Sequence, residues 1–257
     1  MNLEEVAYTG KEPEIVALHG FGGCAQDFAL MAEVLPNCIS ALQLPFAHGH
    51  VDYSTDALVQ ALNGAIKPHS IVLGYSMGAR LLLQWAVRAP QKCGPKALIV
   101  ISGTPGLRHE ALRSERRKQD AAIVSRIEKE GVASFFDWWR EVPIISSQKR
   151  IPEPHQAKMK QNRLKYDAAV LSASLHQFGQ GQMPPCWDAL SSITCPVLLI
   201  AGETDQKYRQ IAEQMKSNLS HAHLAVVSEA GHCPHLEQSE RTGTIIQKWF
   251  DRHGLWG

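Results

Sequence analysis

Gly74-Tyr75-Ser76-Met77-Gly78 stands directly after the apolar run Ser70-Ile71-Val72-Leu73 and directly before Ala79-Arg80-Leu81-Leu82-Leu83-Gln84-Trp85-Ala86, which carries helical apolar spacing. The stretch is G-x-S-x-G set between a strand and a helix. A serine on so sharp a turn needs small neighbours, because the backbone is strained and the adjoining strand and helix leave no room for side chains. The hydroxyl is left exposed at the tip of a sheet with a helix N-terminus behind it. Ser76 is therefore a candidate reactive group, against the plainer reading of a turn serine.

Outward from this turn, short apolar runs at 15–20, 38–44, 70–76, 97–103, 196–202 and 222–230 read as buried strands. Helical patterns at 56–66, 77–88, 208–219 and 239–253 alternate with them. Such alternation predicts an α/β fold: a mostly parallel sheet with flanking helices. The rhythm stops between Leu107 and Leu190, where charge, aromatics, prolines and helix-like stretches at 110–130 and 132–141 take over. The expected organisation is a core of residues 1–106 and 191–257 with a helical cap, 107–190, inserted over the C-terminal edge of the sheet, where ligands bind in open α/β folds.

Length and composition narrow the classes. A chain of 257 residues holds one large α/β domain and an ample core. Lys and Arg number 26 against 25 Asp and Glu, a formal charge of +1, so no global field points to nucleic acid or an anionic membrane. An anionic ligand would have to be held by local arginines. The six cysteines, at 24, 38, 93, 186, 195 and 233, show no C-x-x-C spacing and read as free thiols of a reducing compartment. The start, Met1-Asn2-Leu3-Glu4-Glu5, is acidic where a signal peptide is basic, and no apolar run is long enough to span a bilayer. The expectation is a cytoplasmic protein, monomeric or weakly homo-oligomeric.

A serine hydroxyl becomes useful when an imidazole accepts its proton and a carboxylate fixes that imidazole. Asp205 follows the run Pro196-Val197-Leu198-Leu199-Ile200-Ala201-Gly202, and His232 follows Leu224-Ala225-Val226-Val227 within Glu229-Ala230-Gly231-His232. Each lies just past a strand end, so Ser76, Asp205 and His232 can converge at one edge, in the Ser, Asp, His chain order of the α/β-hydrolase triad. Glu203 is a rival acid and His235 a rival base; Asp205 could also serve as a helix N-cap. The turn His19-Gly20-Phe21-Gly22-Gly23 follows the first strong strand and can aim backbone N–H groups at the serine. The candidate oxyanion donors are the N–H groups of Phe21 and Met77; His19 reads as structural.

Together these segments resemble the α/β-hydrolase superfamily along nearly the whole chain. More narrowly they resemble the 2-succinyl-6-hydroxy-2,4-cyclohexadiene-1-carboxylate (SHCHC) synthases of the menaquinone pathway. The residues that carry this are Gly74-Tyr75-Ser76-Met77-Gly78-Ala79-Arg80, Gly103-Thr104-Pro105-Gly106-Leu107, Asp137-Trp138-Trp139, Gly202-Glu203-Thr204-Asp205-Gln206-Lys207-Tyr208 and Ala230-Gly231-His232. The resemblance implies a carbon–oxygen lyase in menaquinone or phylloquinone biosynthesis: serine, activated by the histidine–aspartate pair, takes a proton from a cyclohexene polycarboxylate (SEPHCHC), and pyruvate leaves. It further implies that Tyr75, Arg80, Arg116, Trp138, Arg163 and Lys207 bind the substrate; guanidinium forks suit its carboxylates. For Arg116 the plain alternative is a solvated helix face. Two places depart from the family's pattern: Gln43-Leu44-Pro45-Phe46-Ala47-His48-Gly49-His50 stands where D-L-P-G-H-G is usual, and Ala79 replaces the elbow's last glycine.

No cofactor is expected, since the chain has neither a dinucleotide nor a P-loop glycine pattern. No metal is expected either: His48, His50, His232 and His235 lack an H-E-x-x-H setting. The expected partner is a small-molecule polycarboxylate, with no nucleic acid. The alternative function is a serine hydrolase (carboxylesterase, thioesterase or C–C bond hydrolase) working through an acyl-enzyme. A non-catalytic binding module is the third reading, disfavoured by the complete set of triad candidates.

Overall fold

The computed structural model describes residues 3–44, 52–89 and 94–256. The unusual segment 45–50, with His48 and His50, and Cys93 therefore lie outside the described residues. Strand β1 (Glu4–Tyr8) is followed by β2 (Lys11–Leu18), helix α1 (Ala29–Val34) and β3 (Asn37–Gln43). Next come α2 (Thr55–Ala65), β4 (Ile71–Tyr75), α3 (Met77–Ala86) and β5 (Ala97–Ile101). Ser54 starts α2 by accepting a hydrogen bond from the N–H of Ala57, the usual task of an N-cap serine.

Between β5 and β6 (Val197–Gly202) the chain is helical: α4 (Glu110–Trp139), α5 (Glu153–Arg163) and α6 (Ala168–Phe178), with short 3-10 turns at Ser146–Arg150 and Trp187–Ser192. We refer to this segment as the cap. Helix α4 is interrupted at Gly131, whose φ of 76° is a left-handed value. The sequence pattern separates two helices at this residue, and the structure kinks there, with non-helical backbone between the two stretches. The chain closes with α7 (Gln206–Asn218), β7 (Ala222–Val227), the single turn α8 (Pro234–Glu237) and α9 (Ser239–His253).

Among the described residues seven strands form one sheet in the order β1-β3-β2-β4-β5-β6-β7. Only β1 runs antiparallel, against β3; the other pairings are parallel. β1 was not visible as a strand: Glu4-Glu5-Val6-Ala7-Tyr8 has no apolar run, and as an edge strand it leaves most side chains to solvent. The chain leaves β2 for β3 on one side and returns to β4 on the other, so the sheet has its topological switch point between β2 and β4. The loops after those two strands, at His19–Gly23 and Ser76, face each other across the crevice where ligands bind in this architecture.

Strands β4, β5 and β6 are buried at every position, with side chains alternating between faces. Leu18, Val72, Val100 and Leu199 pack with α2, α3 and the cap, whose Ile127, Phe135, Leu171 and Phe178 extend the same core. Ile15, Leu73, Ile99 and Ile200 pack on the opposite face with Met31, Ile246 and Phe250 of α1 and α9. Each such aliphatic side chain contributes about 1.5–3 kcal/mol through burial. The sheet is thus packed on both faces, and the cap extends the core on one of them. Among the described residues no helix is long and apolar enough to cross a membrane.

Candidate active site

Ser76 forms the hinge between β4 and α3 with φ 51° and ψ −107°, a left-handed backbone rare for a residue with a side chain. Its N–H donates to the carbonyl of Ile101 at 3.0 Å, and its carbonyl accepts from Arg80 N–H at 3.0 Å, so strand and helix both pin it. Gly78 is needed because a Cβ there would collide with the carbonyls of Leu18, at the end of β2, and of His19 just after it. The methyl of Ala79 is accommodated where Gly103 has no side chain.

His232 Nε2 lies 3.0 Å from Ser76 Oγ, and its Nδ1 lies 2.6 Å from Asp205 Oδ2. With Nδ1–H donating to the carboxylate, Nε2 carries the lone pair that faces the serine hydroxyl. Asp205 is also the N-cap of α7, its Oδ1 accepting from Tyr208 N–H at 3.3 Å. The two roles weighed for it use different oxygens of one side chain. Glu203 is turned elsewhere, accepting from Glu229 N–H at 2.9 Å. His235 is buried between the rings of Tyr75 and Phe28, and burial followed by the charge of His232 pulls it down to about 3. It stays neutral and lines the cavity beside Ser76 without bonding to the serine.

Gly20, Phe21 and Gly23 line that same cavity, which has a volume of about 50 Å³. Gly23 N–H closes the turn onto the carbonyl of Gly20 at 3.1 Å. Met77 is the first residue of α3, where N–H groups have no partner within the helix. His19 is fixed below: Nδ1–H donates to Gly20 O at 2.9 Å while Nε2 accepts from Leu44 N–H at 3.0 Å. That tautomer suits a neutral ring, and burial brings its pKa down to about 4.

Of the residues assigned to substrate by resemblance, Tyr75 and Arg163 line the cavity at Ser76. Arg163 donates to Gln148 Oε1 at 2.9 Å, and its buried Nε has no protein partner among the described residues. Arg80, Arg116 and Lys207 form a second group, coupled electrostatically to one another or to Tyr208, whose ring centroid is 4.5 Å from that of His232. Burial brings Arg80 down to about 10, so it remains charged at neutral pH. Burial, and then Arg116, also lowers Lys207. Arg116 is held by Asp120 at 2.8 Å and by Gln180. Trp138 is not among the cavity residues. It packs under the guanidinium of Arg126, and its neighbour Trp139 lines the cavity, since successive helical positions point about 100° apart.

Sequence reasoning did not single out Tyr208, Trp139, Gln148 or Asp27, all of which line or flank the site. Tyr208 carried one signal, its position three residues after Asp205 at the start of a helix. A second cleft of about 320 Å³, with Arg140, Lys149 and Lys160 in its wall, adjoins the cavity and shares Gln148, Met159 and Arg163 with it. Among the described residues no cluster of three or more His, Cys, Asp or Glu is placed to hold a metal ion.

A Bacillus subtilis (strain 168) protein provisionally named 2-succinyl-6-hydroxy-2,4-cyclohexadiene-1-carboxylate synthase is 32% identical, over 92% of this chain and 89% of its own. The Salmonella typhimurium synthase of that name is 26% identical over 88% of each chain. The structure of MenH from S. aureus superposes with a TM-score of 0.85 at 28% identity, covering 96% of this chain and 98% of its own. The model of the alpha/beta hydrolase family matches residues 15–243, and the chain belongs to that family.

Proposed function

We propose that the chain is an SHCHC synthase: it takes a proton from a cyclohexene polycarboxylate and eliminates pyruvate. The observation that carries this is the pairing of a complete Asp205–His232–Ser76 relay with cations around it: buried Arg80, with the more exposed Arg116 and Lys207, near Tyr208, and buried Arg163 in the cavity at Ser76. An ester hydrolase has no need of so many cations beside its relay; a substrate with several carboxylates does.

In this reading His232 Nε2 draws the hydroxyl proton, and Ser76 Oγ removes a proton from the ring carbon next to a carbonyl. The developing enolate oxygen is met by the N–H groups of Phe21 and Met77. Electrons move around the ring to form the diene, and the carbon–oxygen bond to the enolpyruvyl group breaks. The released enolate takes up a proton and becomes pyruvate; no water is consumed. Asp205 keeps the imidazole in one tautomer and stabilises it when charged. The Arg163 fork suits one substrate carboxylate, and Arg80 with Arg116 and Lys207 suits others. Tyr75 bounds the ring. Residues 107–190 act as the cap that shields this chemistry from water.

A cytoplasmic setting fits the five cysteines of the described residues, all unpaired. The reading is tested by supplying the pyruvyl-ether precursor, made enzymatically in situ, and following pyruvate and diene together. Ser76-dependent release of both supports the synthase. Release no faster than the spontaneous background, with cleavage of p-nitrophenyl esters instead, would return the chain to the serine hydrolases.

A further inference from the structure

The side chain of Glu237 is fully buried, with 0% exposure, and lies outside the relay. Its partners are donors. Gly231 N–H donates to Oε2 at 2.7 Å and Cys233 N–H to Oε1 at 3.0 Å. These are the peptide N–H groups immediately before and after His232. Ser147 Oγ donates to Oε1 at 2.8 Å, and Arg150 Nη1 stands 3.6 Å from Oε2. Both come from the 3-10 turn Ser146–Arg150 of the cap. The same Arg150 donates to the carbonyl of Glu229 at 3.3 Å. Gly231 has no side chain where Ser147 packs: a Cβ there would run into the Ser147 Cβ and Oγ.

We infer that Glu237 is a positioning residue for His232: it clamps the two peptide N–H groups that bracket the histidine and, through Ser147, fastens that clamp to the cap. A carboxylate suits the task because it offers two acceptor oxygens and no donor, so both N–H groups and the serine hydroxyl are satisfied together. His232 lies in the loop between β7 and the short turn α8, where Thr204 also holds the Ala230 carbonyl and the Cys233 carbonyl accepts from α8. The imidazole must hold two hydrogen bonds at once, to Asp205 and Ser76. Small displacements of such a base are costly to rate. The inference rests on the relay reading of Ser76, His232 and Asp205 and not on the identity of the substrate.

The test compares Glu237→Gln, Glu237→Ala and Ser147→Ala in the full chain, reading kcat and KM for pyruvate release, the downfield proton resonance of His232 Nδ1–H, and urea unfolding. Glutamine keeps one acceptor but turns an amide N–H₂ toward the second donor. The expected result for Glu237→Gln is a fall in kcat of about 10- to 100-fold with KM within about 2-fold, and a shifted or broadened Nδ1–H resonance. Ser147→Ala is expected to give a kcat loss of about 3-fold with the same sign of spectral change. Folded Glu237→Gln with wild-type kcat and an unmoved resonance would overturn the inference, as would lowered stability with both unchanged. If Glu237→Ala fails to fold, the two milder variants decide. The resonance needs no substrate, so the clamp is judged even if the wild-type chain releases no pyruvate and the synthase reading falls.

Discussion

Arg80 Nη1 donates to the carbonyl of Phe178 at 3.2 Å, joining the first turn of the helix behind Ser76 to the last residue of α6 in the cap. The guanidinium also lies 5.3 Å from the Phe178 ring centroid. One buried charge thus serves both the fold and the proposed anion site. Arg80→Lys keeps the charge and loses the fork, so KM for the polycarboxylate should rise about 10-fold while hydrolysis of a p-nitrophenyl ester, if any, changes little. Arg80→Ala should in addition cost about 2 kcal/mol in urea unfolding, the loss of a buried hydrogen bond from a charged group. Equal losses in both assays would remove Arg80 from carboxylate binding.

Asp205 performs two tasks with its two oxygens, and they separate by substitution. Asparagine caps a helix as well as aspartate does, so Asp205→Asn should leave stability nearly unchanged while pyruvate release falls by about 10³- to 10⁴-fold through loss of the imidazole's partner. Asp205→Ala should lose the cap as well, at about 1 kcal/mol. A fully active Asp205→Asn would show that the 2.6 Å contact with His232 is only structural.

Ser76 holds its left-handed conformation, φ 51°, at a cost of about 1–3 kcal/mol. Ser76→Gly relieves this strain and should raise the unfolding midpoint while abolishing turnover. Ser76→Ala should abolish turnover with little change in midpoint. Retained elimination in either variant would refute the assignment of Ser76.

Acid should destabilise the protein from a specified source. The pKa values of His19 and His235 are lowered by burial to about 4 and about 3, below the ordinary histidine value near 6.5. As pH falls below about 6.5 the unfolded chain binds protons that the folded chain refuses, so stability drops through the window down to these folded values. The slope approaches about 1.4 kcal/mol per pH unit for each histidine. Urea unfolding from pH 7 to pH 4.5 measures it, and His235→Gln should flatten the curve. An unchanged slope would mean that His235 protonates freely in the fold.

What could be read from the sequence divides by distance along the chain. The elbow at Ser76, the buried strands and the order of Asp205 and His232 are local patterns of spacing and punctuation, and they place the site at one edge of the sheet. β1 escaped because Glu4 and Glu5 interrupt any apolar pattern on a half-exposed edge strand. Trp139 escaped because adjacent tryptophans look alike until the helix is oriented: one meets Arg126, and the other meets Phe21 at 5.6 Å. Glu237 escaped because its meaning depends on Ser147, 90 positions earlier, and nothing in the run Pro234-His235-Leu236-Glu237 announces a contact with the cap.

The void at Gly231 filled by Ser147 also sets a rule for recombining this chain. A cap grafted from another member of the family brings its own side chain against the peptide that precedes His232. A bulkier graft at that spot presses on the histidine loop, and a smaller one leaves Glu237 short of a donor. Caps and histidine loops should therefore be exchanged as matched pairs, with chimaeras that swap only one of them folding but turning over slowly.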